Sequence, residues 1–375
     1  MSSPRDYTLI VFSDVNFSPQ LFAILQELHN QESSFRVVLI GDPGVAIAQQ
    51  IKAQYWNLRV IPKRGKLGSV LYLLVLGSEI LRNRPNVLFA SGQFATAISM
   101  LVGKILHVQR RIFIRHHSNF HHKYNMRHGI LVDKMANYLS TEIVAVSEVV
   151  KDILISNEAV NPKKVRLIYN GIELEKFQNV DSKNNKADYG QERGSNLFNI
   201  GVISRLTELK GVKYIAQAFA KLRQEFPNSR LHIVGAFSDS YSEVSNILSS
   251  TDHNSYTIEK ENSDIPSFFR SLDAFIHVPV GVQDEAFGIV YIEALASGVA
   301  CIFTQSGVLN ELDDAQRYVT IVPPRDFEAI YFNLRKMLLG ISNSRTSITD
   351  EWIKQFSLEK IAKDYAELLI GAKER

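Results

Sequence analysis

The 375-residue chain is 45% hydrophobic and 22% charged, with a formal net charge of +3. A single core stops growing at about 250–300 residues, so the length calls for two domains, and a near-average composition excludes disorder, collagen and coiled coil. The one cysteine, Cys301, excludes an intrachain disulfide framework and fits a reducing cytoplasm.

Residues 1–8 are polar and the apolar run Leu9–Phe12 is too short for a signal core, so no secretory signal is expected. Tyr7–Phe12 and Arg36–Ile40 read as buried strands, with a helix over Leu21–Leu28 between them. Strand-like runs follow at Leu58–Ile61, Val87–Ala90, Arg111–Ile114, Glu142–Val146 and Val165–Tyr169, separated by helix-length segments. The most hydrophobic of these segments, Val70–Leu81, contains Gly77, Ser78 and Glu79 and falls short of the about 20 residues a membrane span needs. Such alternation predicts a parallel sheet covered on both faces.

Residues 179–196 are polar, rich in Asn and almost empty of large aliphatics, and are expected to link a first domain, 1–178, to a second, 197–351. Alternation resumes with strands at Phe198–Ile203, Arg230–Val234, Ala274–Val278 and Ala300–Thr304. Helices are expected over Val212–Phe226, Ile265–Arg270 and Val290–Ala296, and the closing stretch Ile348–Leu369 is helical by pattern. The sum is an α/β chain of two doubly wound lobes, and sheets of this kind bind ligands at the carboxyl ends of their strands.

Charge is uneven. Residues 1–180 hold 21 Lys and Arg against 13 Asp and Glu, net +8; residues 181–375 hold 21 against 26, net −5. A basic half suits an anionic partner such as an anionic membrane surface or a lipid-linked diphosphate, although a merely uneven solvated surface gives the same count. Nucleic acid is disfavoured, because no cationic cluster interleaves with aromatic residues along one element.

Three segments carry chemistry. In Gly201–Gly211, Arg205 and Lys210 follow a strand and precede a helix; they can converge on a diphosphate, though a solvated loop also carries such cations. In Glu285–Glu293, Phe287-Gly288 leads into a helix whose first N–H groups, including that of Ile289, can meet a phosphate that glycine lets approach. Glu285 in the preceding loop and Glu293 on the helix are expected to face one crevice, where a carboxylate can accept two bonds from a diol. Glu293 stands in an apolar run, so burying it without a partner would be costly. Third, His116 and His117 follow the strand Arg111–Ile114 within a basic segment holding His107, His121, His122 and His128. A sugar- or phosphate-contacting loop, or a basic solvated surface, accounts for them; a zinc site is disfavoured, with no cysteine near and Asp133 as the close carboxylate.

Taken in order, these residues resemble family 4 retaining glycosyltransferases of the GT-B fold ("glycosyl transferases group 1"). The matching pieces run from Ser147-Glu148 and Ile168–Ile172 through Arg205, Lys210-Gly211 and Leu231–Gly235. They continue through Asp273-Ala274, Glu285, Phe287-Gly288, Glu293–Gly298 and Ser306–Glu311. The resemblance implies two Rossmann-like domains facing a central cleft, with the C-terminal helix, 352–375, crossing back to the first. It implies a nucleotide-sugar donor, UDP- or GDP-linked, no further cofactor and no metal requirement. Arg205 and Lys210 would hold the diphosphate with the Gly288 and Ile289 amides, after Phe287. Glu293 would bind the ribose, Glu285 would act near the anomeric centre, and His116 or His117 would line the sugar site. The acceptor would be a glycan or lipid-linked hydroxyl in surface polysaccharide or glycolipid synthesis, at the inner face of the membrane.

Three departures stand out. Ser13–Pro19 lacks the family's Gly-Gly, His277-Val-Pro279 replaces a more usual Pro-Ser, and Ser306-Gly307 replaces a second Gly-Gly pair. The first bears on the acceptor, the others on loop detail. Base recognition is expected around Tyr256–Ser263. A nucleotide-sugar epimerase of the same fold would not be expected to carry this motif set, and no Gly-x-Gly-x-x-Gly supports a dinucleotide oxidoreductase. The alternative from another class is a non-catalytic transferase-like module that binds nucleotide sugar.

Overall fold

The computed structural model describes residues 7–13, 15, 18–62, 65–178, 197–341 and 350–371. The expected linker at 179–196 and part of the Ser13–Pro19 loop lie outside these residues. The chain forms two compact units, one of Met1–Ile172 with Phe356–Arg375, the other of Glu173–Gln355.

The first unit begins β1 (Tyr7–Ser13), α1 (Pro19–Asn30), β2 (Ser34–Ile40), α2 (Ala46–Ala53) and β3 (Leu58–Ile61). It continues α3 (Gly65–Asn83), β4 (Val87–Ser91), α4 (Gln93–Ile105), β5 (Arg110–Arg115), the one-turn α5 (Phe120–Lys123) and α6 (Arg127–Leu139). Then come β6 (Glu142–Ala145), α7 (Glu148–Asp152) and β7 (Val165–Leu167). The strands all pair in parallel in the order β3-β2-β1-β4-β5-β6-β7, and the sense in which successive strands are added switches between β1 and β4. Their central residues, among them Leu9, Val11, Val38 and Leu88, are wholly buried because helices cover both faces. Helix α1 shows how the sequence sets an element: Ser18 caps the N–H of Leu21, Pro19 opens the first turn, and Leu21, Ile24, Leu25 and Leu28 recur at helical spacing on the buried side.

The second unit holds α8 (Leu174–Gln178), β8 (Phe198–Ile203), α9 (Val212–Glu225), β9 (Ser229–Val234), α10 (Tyr241–Leu248), β10 (Tyr256–Glu259) and α11 (Ile265–Arg270). It ends with β11 (Ala274–His277), α12 (Ile289–Ser297), β12 (Ala300–Phe303), β13 (Thr320–Ile321), α13 (Phe327–Leu338) and α14 (Asp350–Lys354). Its parallel sheet runs β10-β9-β8-β11-β12-β13, the strand order of a doubly wound dinucleotide-binding sheet, with its switch point between β8 and β11. Both expected doubly wound lobes are present.

The differences are local. The first division falls between Ile172 and Glu173, because Phe177 of α8 packs edge-to-face on Phe269 of the second unit. The helix expected over Ile348–Leu369 is two: α14 in the second unit and α15 (Leu358–Ile370) in the first. The break lies where Phe356 C=O accepts from Ile172 N–H and Leu358 N–H donates to Ile172 C=O, both at 2.9 Å. Ser357 caps α15, which packs on α1, and the Tyr365 ring beneath it meets Phe89. Two strands escape the sequence pattern: β13 is two residues long, and β10, an edge strand, leaves alternate residues exposed where a base-reading loop was expected.

Burial also fixes an ion pair at the end of β5. Arg115 and Glu158 are joined by a 2.5 Å bond and almost wholly enclosed, and Asn137 donates to the other Glu158 oxygen at 2.6 Å. Removing Glu158 leaves the enclosed Arg115 with only the longer contact to Asp133, at 3.3 Å, and Asn137 without its acceptor. Glu158→Ala is expected to cost about 3 kcal/mol, read by urea unfolding, while a loss below about 1 kcal/mol would contradict the pairing.

Candidate functional site

The second unit assembles a polar cluster at its switch point. Strand β8 delivers Ser204 and Arg205, and Gly235 at the end of β9 makes room for them: a Cβ there would sit 1.8 Å from the Ser204 carbonyl oxygen. Arg205 is exposed and, among the described residues, its guanidinium forms no hydrogen bond or ion pair. The chain then turns at Gly211, whose φ of 67° is the left-handed region and whose Cβ would meet the Val278 carbonyl oxygen at 2.2 Å. A bond from Val280 N–H to Leu209 C=O, 3.0 Å, ties this turn to the end of β11 and seats Lys210 there.

Lys210 Nζ donates to Glu285 Oε1. His277 Nε2, from the last residue of β11, reaches the same oxygen at 2.8 Å. All three side chains are largely enclosed: Lys210 is 11% exposed, Glu285 12% and His277 2%. Burial alone pushes the Glu285 carboxyl up, but the His277 bond and the Lys210 charge overcome it and bring its pKa to about 2. Burial lowers the His277 pKa, with Glu285 offsetting only part, so the ring is neutral at pH 7. Because Nε2 faces a carboxylate it carries the proton, and Nδ1, buried with no hydrogen-bond partner among the described residues, is a bare acceptor. Tyr291 packs edge-on against this ring, with centroids 4.9 Å apart, and donates to Thr304 C=O at 3.1 Å.

The backbone beneath Glu285 is equally fixed. Glu285 N–H donates to Ser306 Oγ at 3.1 Å, and that hydroxyl is held by the carbonyls of Gly281 and Val282. Gly307, at φ 55°, lies so close that a Cβ would meet Phe287 O at 2.5 Å. Gly288, at φ 81°, opens α12 with no capping side chain, and its Cβ would strike the Tyr291 ring at 2.6 Å. Phe287 is a core residue, 2% exposed, and its carbonyl accepts from Val308 N–H; it anchors the turn rather than offering a side chain to a ligand. Glu293, on the second turn of α12, is half-buried and forms no hydrogen bond or ion pair among the described residues; burial raises its pKa to about 7.

Lys210 and Glu285 therefore come together directly, whereas Arg205 and Glu293 make no bond to that pair. His277 and Ser306, which hold the Glu285 side chain and backbone, sit at two positions where the sequence departs from the family motif. Those departures were the available signal.

The first unit holds the histidines. His116 follows β5, exposed, with Ser91 Oγ 3.1 Å from its Nε2. His117 Nε2 and His121 Nδ1 both meet Asp133 Oδ2, at 3.0 and 2.6 Å, and Gln93 Nε2 is 3.2 Å from His121 Nε2. Burial pushes Asp133 up, but the His117 bond and the Arg115 charge more than offset it and hold the carboxyl below its ordinary value. The His117, His121 and Asp133 atoms lie within 4.8 Å of one another, a spacing that can hold a metal ion. Arg115 Nη2, however, stands 3.3 Å from the same carboxylate oxygen and would repel a second cation. The residues fit a hydrogen-bonded network better. Beside it a cavity of about 80 Å³ is lined by Gly92, Gln93, Arg115, His116, His117 and Asp133.

Two pH effects follow. A depressed carboxylate stabilises above its unfolded pKa and loses that stability as pH falls through its folded pKa. His277→Phe is thus expected to move the Glu285 titration up from about 2 toward the ordinary range, read by carboxyl ¹³C NMR, while His277→Gln keeps a donor and restores the low value; equal titration in all three would contradict the clamp. Glu293 has the opposite sign: its raised pKa costs stability as pH climbs from about 4.5 to about 7. Glu293→Gln should therefore gain on the order of 2 kcal/mol at pH 8 and little at pH 4, by urea unfolding, and a loss at both would contradict it.

Two family models match the chain: "Glycosyltransferase Family 4" over residues 20–176 and "Glycosyl transferases group 1" over residues 184–349. The capsular polysaccharide biosynthesis glycosyltransferase CapM of Staphylococcus aureus is 27% identical over 252 residues, 64% of this chain and 65% of that protein. An Escherichia coli UDP-Gal:alpha-D-GlcNAc-diphosphoundecaprenol alpha-1,3-galactosyltransferase is 25% identical over 202 residues, 48% of this chain and 50% of its own. The matches thus span about half to two thirds of these relatives. Anabaena HepE, solved with UDP and glucose, superposes with a TM-score of 0.78 over 96% of this chain and 99% of its own, at 19% identity, a likeness of fold. With both halves matched in order and the two-Rossmann GT-B fold in place, the chain belongs to the family 4, group 1 glycosyltransferases.

Proposed function

We propose that the chain is a hexosyltransferase that moves a sugar, with retention of anomeric configuration, from a nucleoside diphosphate to an acceptor hydroxyl. The observation that carries this reading is the enclosed Lys210–Glu285–His277 cluster at a strand switch point beside the uncapped N-terminus of α12. The C1–O bond to the donor diphosphate breaks, its electron pair stays on the diphosphate, and C1 bonds to the acceptor oxygen. The acceptor's proton leaves with the departing diphosphate.

Lys210, Arg205 and the Gly288 and Ile289 amides meet the charge that develops on the leaving group, which is electrostatic catalysis without a covalent nucleophile. Glu293, which has no partner among the described residues, takes the ribose hydroxyls, a role that relieves the cost of its burial. Glu285 Oε1 is committed to Lys210 and His277, leaving Oε2 for the sugar. Of the adjacent histidines, exposed His116 is assigned to the sugar, since His117 is engaged with Asp133. In this reading Arg205, Lys210 and the α12 amides take the place a metal would have at the diphosphate. HepE was solved with UDP and glucose, and the E. coli relative is named for a UDP-linked donor and a diphosphoundecaprenol acceptor, which supports a UDP-linked donor and a glycan or lipid-linked acceptor; a GDP-linked donor is supported by a Mycolicibacterium smegmatis relative named as a GDP-mannose-dependent mannosyltransferase. A surface polysaccharide or glycolipid pathway at the cytoplasmic face of the membrane is consistent with both.

The test is turnover with a panel of UDP- and GDP-sugars, with the product anomer read from ¹H couplings. Lys210→Ala and Glu285→Ala should each lose at least about 100-fold in kcat with the anomeric configuration kept in the product. Equal rates in all three would remove these residues from the chemistry, and an inverted product would remove retention. Nucleotide-sugar binding without turnover would favour the non-catalytic module.

A further inference from the structure

We propose that the face of the first unit formed by α3, α4 and α6 docks on an anionic phospholipid bilayer. These helices follow β3, β4 and β5, and right-handed crossovers place all three on one face of the sheet, with α3 against α4 and α4 against α6.

From Val70 onward, helix α3 carries apolar side chains on both its inner and its outer side. Its inner side, Tyr72, Leu76 and Ile80, is buried on the sheet. Its outer side repeats the pattern: Leu74 and Leu81 are 67% and 65% exposed, and Val70 lies one turn before Leu74 on the same stripe. Helix α4 adds Leu101 and Ile105, and α6 adds Leu131 and Tyr138, the last 82% exposed. Single exposed leucines need no explanation, but a stripe of them on three neighbouring helices does.

The charge on this face identifies the occupant. Arg82, Lys104, Arg127 and Lys134 are all exposed among these apolar side chains. Across α3, α4 and α6 there are two carboxylates, Glu79 and Asp133, and both are buried against cationic partners: Glu79 on Arg36 and Arg59, Asp133 on Arg115. The face therefore offers aliphatic, aromatic and cationic groups and no exposed acid among its described residues. Long cationic stems reaching past apolar neighbours, with an interfacial tyrosine, suit a layer whose surface is anionic and whose interior is hydrocarbon.

A second copy of the chain fits worse, because a two-fold contact brings the same cations together with no acid to meet them. On the opposite face α15 shows the ordinary solvated pattern, with Lys360–Asp364 and Lys363–Glu359 pairs. No helix among the described residues is long and apolar enough to cross a membrane, so the contact is along the bilayer surface.

The test is co-sedimentation of the full chain with phosphatidylcholine vesicles, with or without about one-third phosphatidylglycerol. Binding should be at least about tenfold stronger to the anionic vesicles and should fall several-fold between about 0.1 and about 0.5 M NaCl. Leu74→Gln with Leu81→Gln should weaken it about tenfold without changing the melting temperature, since both side chains are exposed. Lys104→Ser with Lys134→Ser should weaken only the anionic component, and Lys360→Ser with Lys363→Ser should change nothing. Absent or salt-insensitive binding, or full binding by the leucine variant, would overturn the proposal. So would a vesicle-free dimer that the leucine variant abolishes, which would assign the face to a second copy. Vesicle binding is read without donor or acceptor, so its failure and that of the transferase reading are distinguishable.

Discussion

A carboxylate that is nearly enclosed yet fully ionised sets the terms for the second unit. Burial alone would raise the Glu285 pKa; Lys210 and His277, sharing one of its oxygens, keep it low and point the carboxylate. Everything around it serves that geometry. Gly211 brings the Lys210 turn against the end of β11, Gly307 lets the Ser306 loop close under Glu285, and Gly288 starts α12 beneath the Tyr291 ring. Each of these glycines has a positive φ and sits where a Cβ would strike backbone or ring, so the cluster depends on three positions that tolerate no side chain. The Nδ1 of His277, without a partner among the described residues, is the cost of the arrangement, a buried acceptor retained to present a donor on the other side of the ring.

The two carboxylates of this region diverge for the same physical reasons. Both are shielded from water, but Glu285 has cationic and donor partners and Glu293 has none among the described residues, so one falls to about 2 and the other rises to about 7. A pair driven apart in this way marks a site better than either residue alone. Glu293 is destabilising as it stands, and a polyol that donates two hydrogen bonds would remove the penalty.

Much of this was legible in the sequence because buried parallel strands are written as short, almost continuous apolar runs. Phe198–Ile203 and Leu58–Ile61 are bounded in the structure as the pattern predicts. The pattern fails where burial is one-sided or the element is brief. Tyr256–Glu259 lies at a sheet edge, Thr320–Ile321 is too short to show a period, and the break at Gln355–Ser357 comes from backbone bonds to Ile172 that no local propensity encodes. Arg205, Lys210, Glu285 and Glu293 stood out by residue type and spacing. His277 and Ser306 did not, since their roles depend on β11 and β12 ending side by side, a consequence of sheet order rather than of sequence distance. The same holds for Asp133, which reaches His117 and His121 only because α6 packs beside the end of β5. For the histidine pair, the contact between His117 and Asp133 is the observation behind the proposed assignment of His116.

In the proposed function Lys210 and Arg205 form the cationic floor of a nucleoside diphosphate site. Calorimetric titration of UDP, GDP and ADP tests it most directly, on the wild type and on Lys210→Ala with Arg205→Ala. One of the three nucleotides should bind the wild type saturably, and loss of two charge-assisted contacts should weaken it by at least about 100-fold in the double variant. Undiminished binding to that variant, with its fold intact by circular dichroism, would contradict the account and place the diphosphate elsewhere.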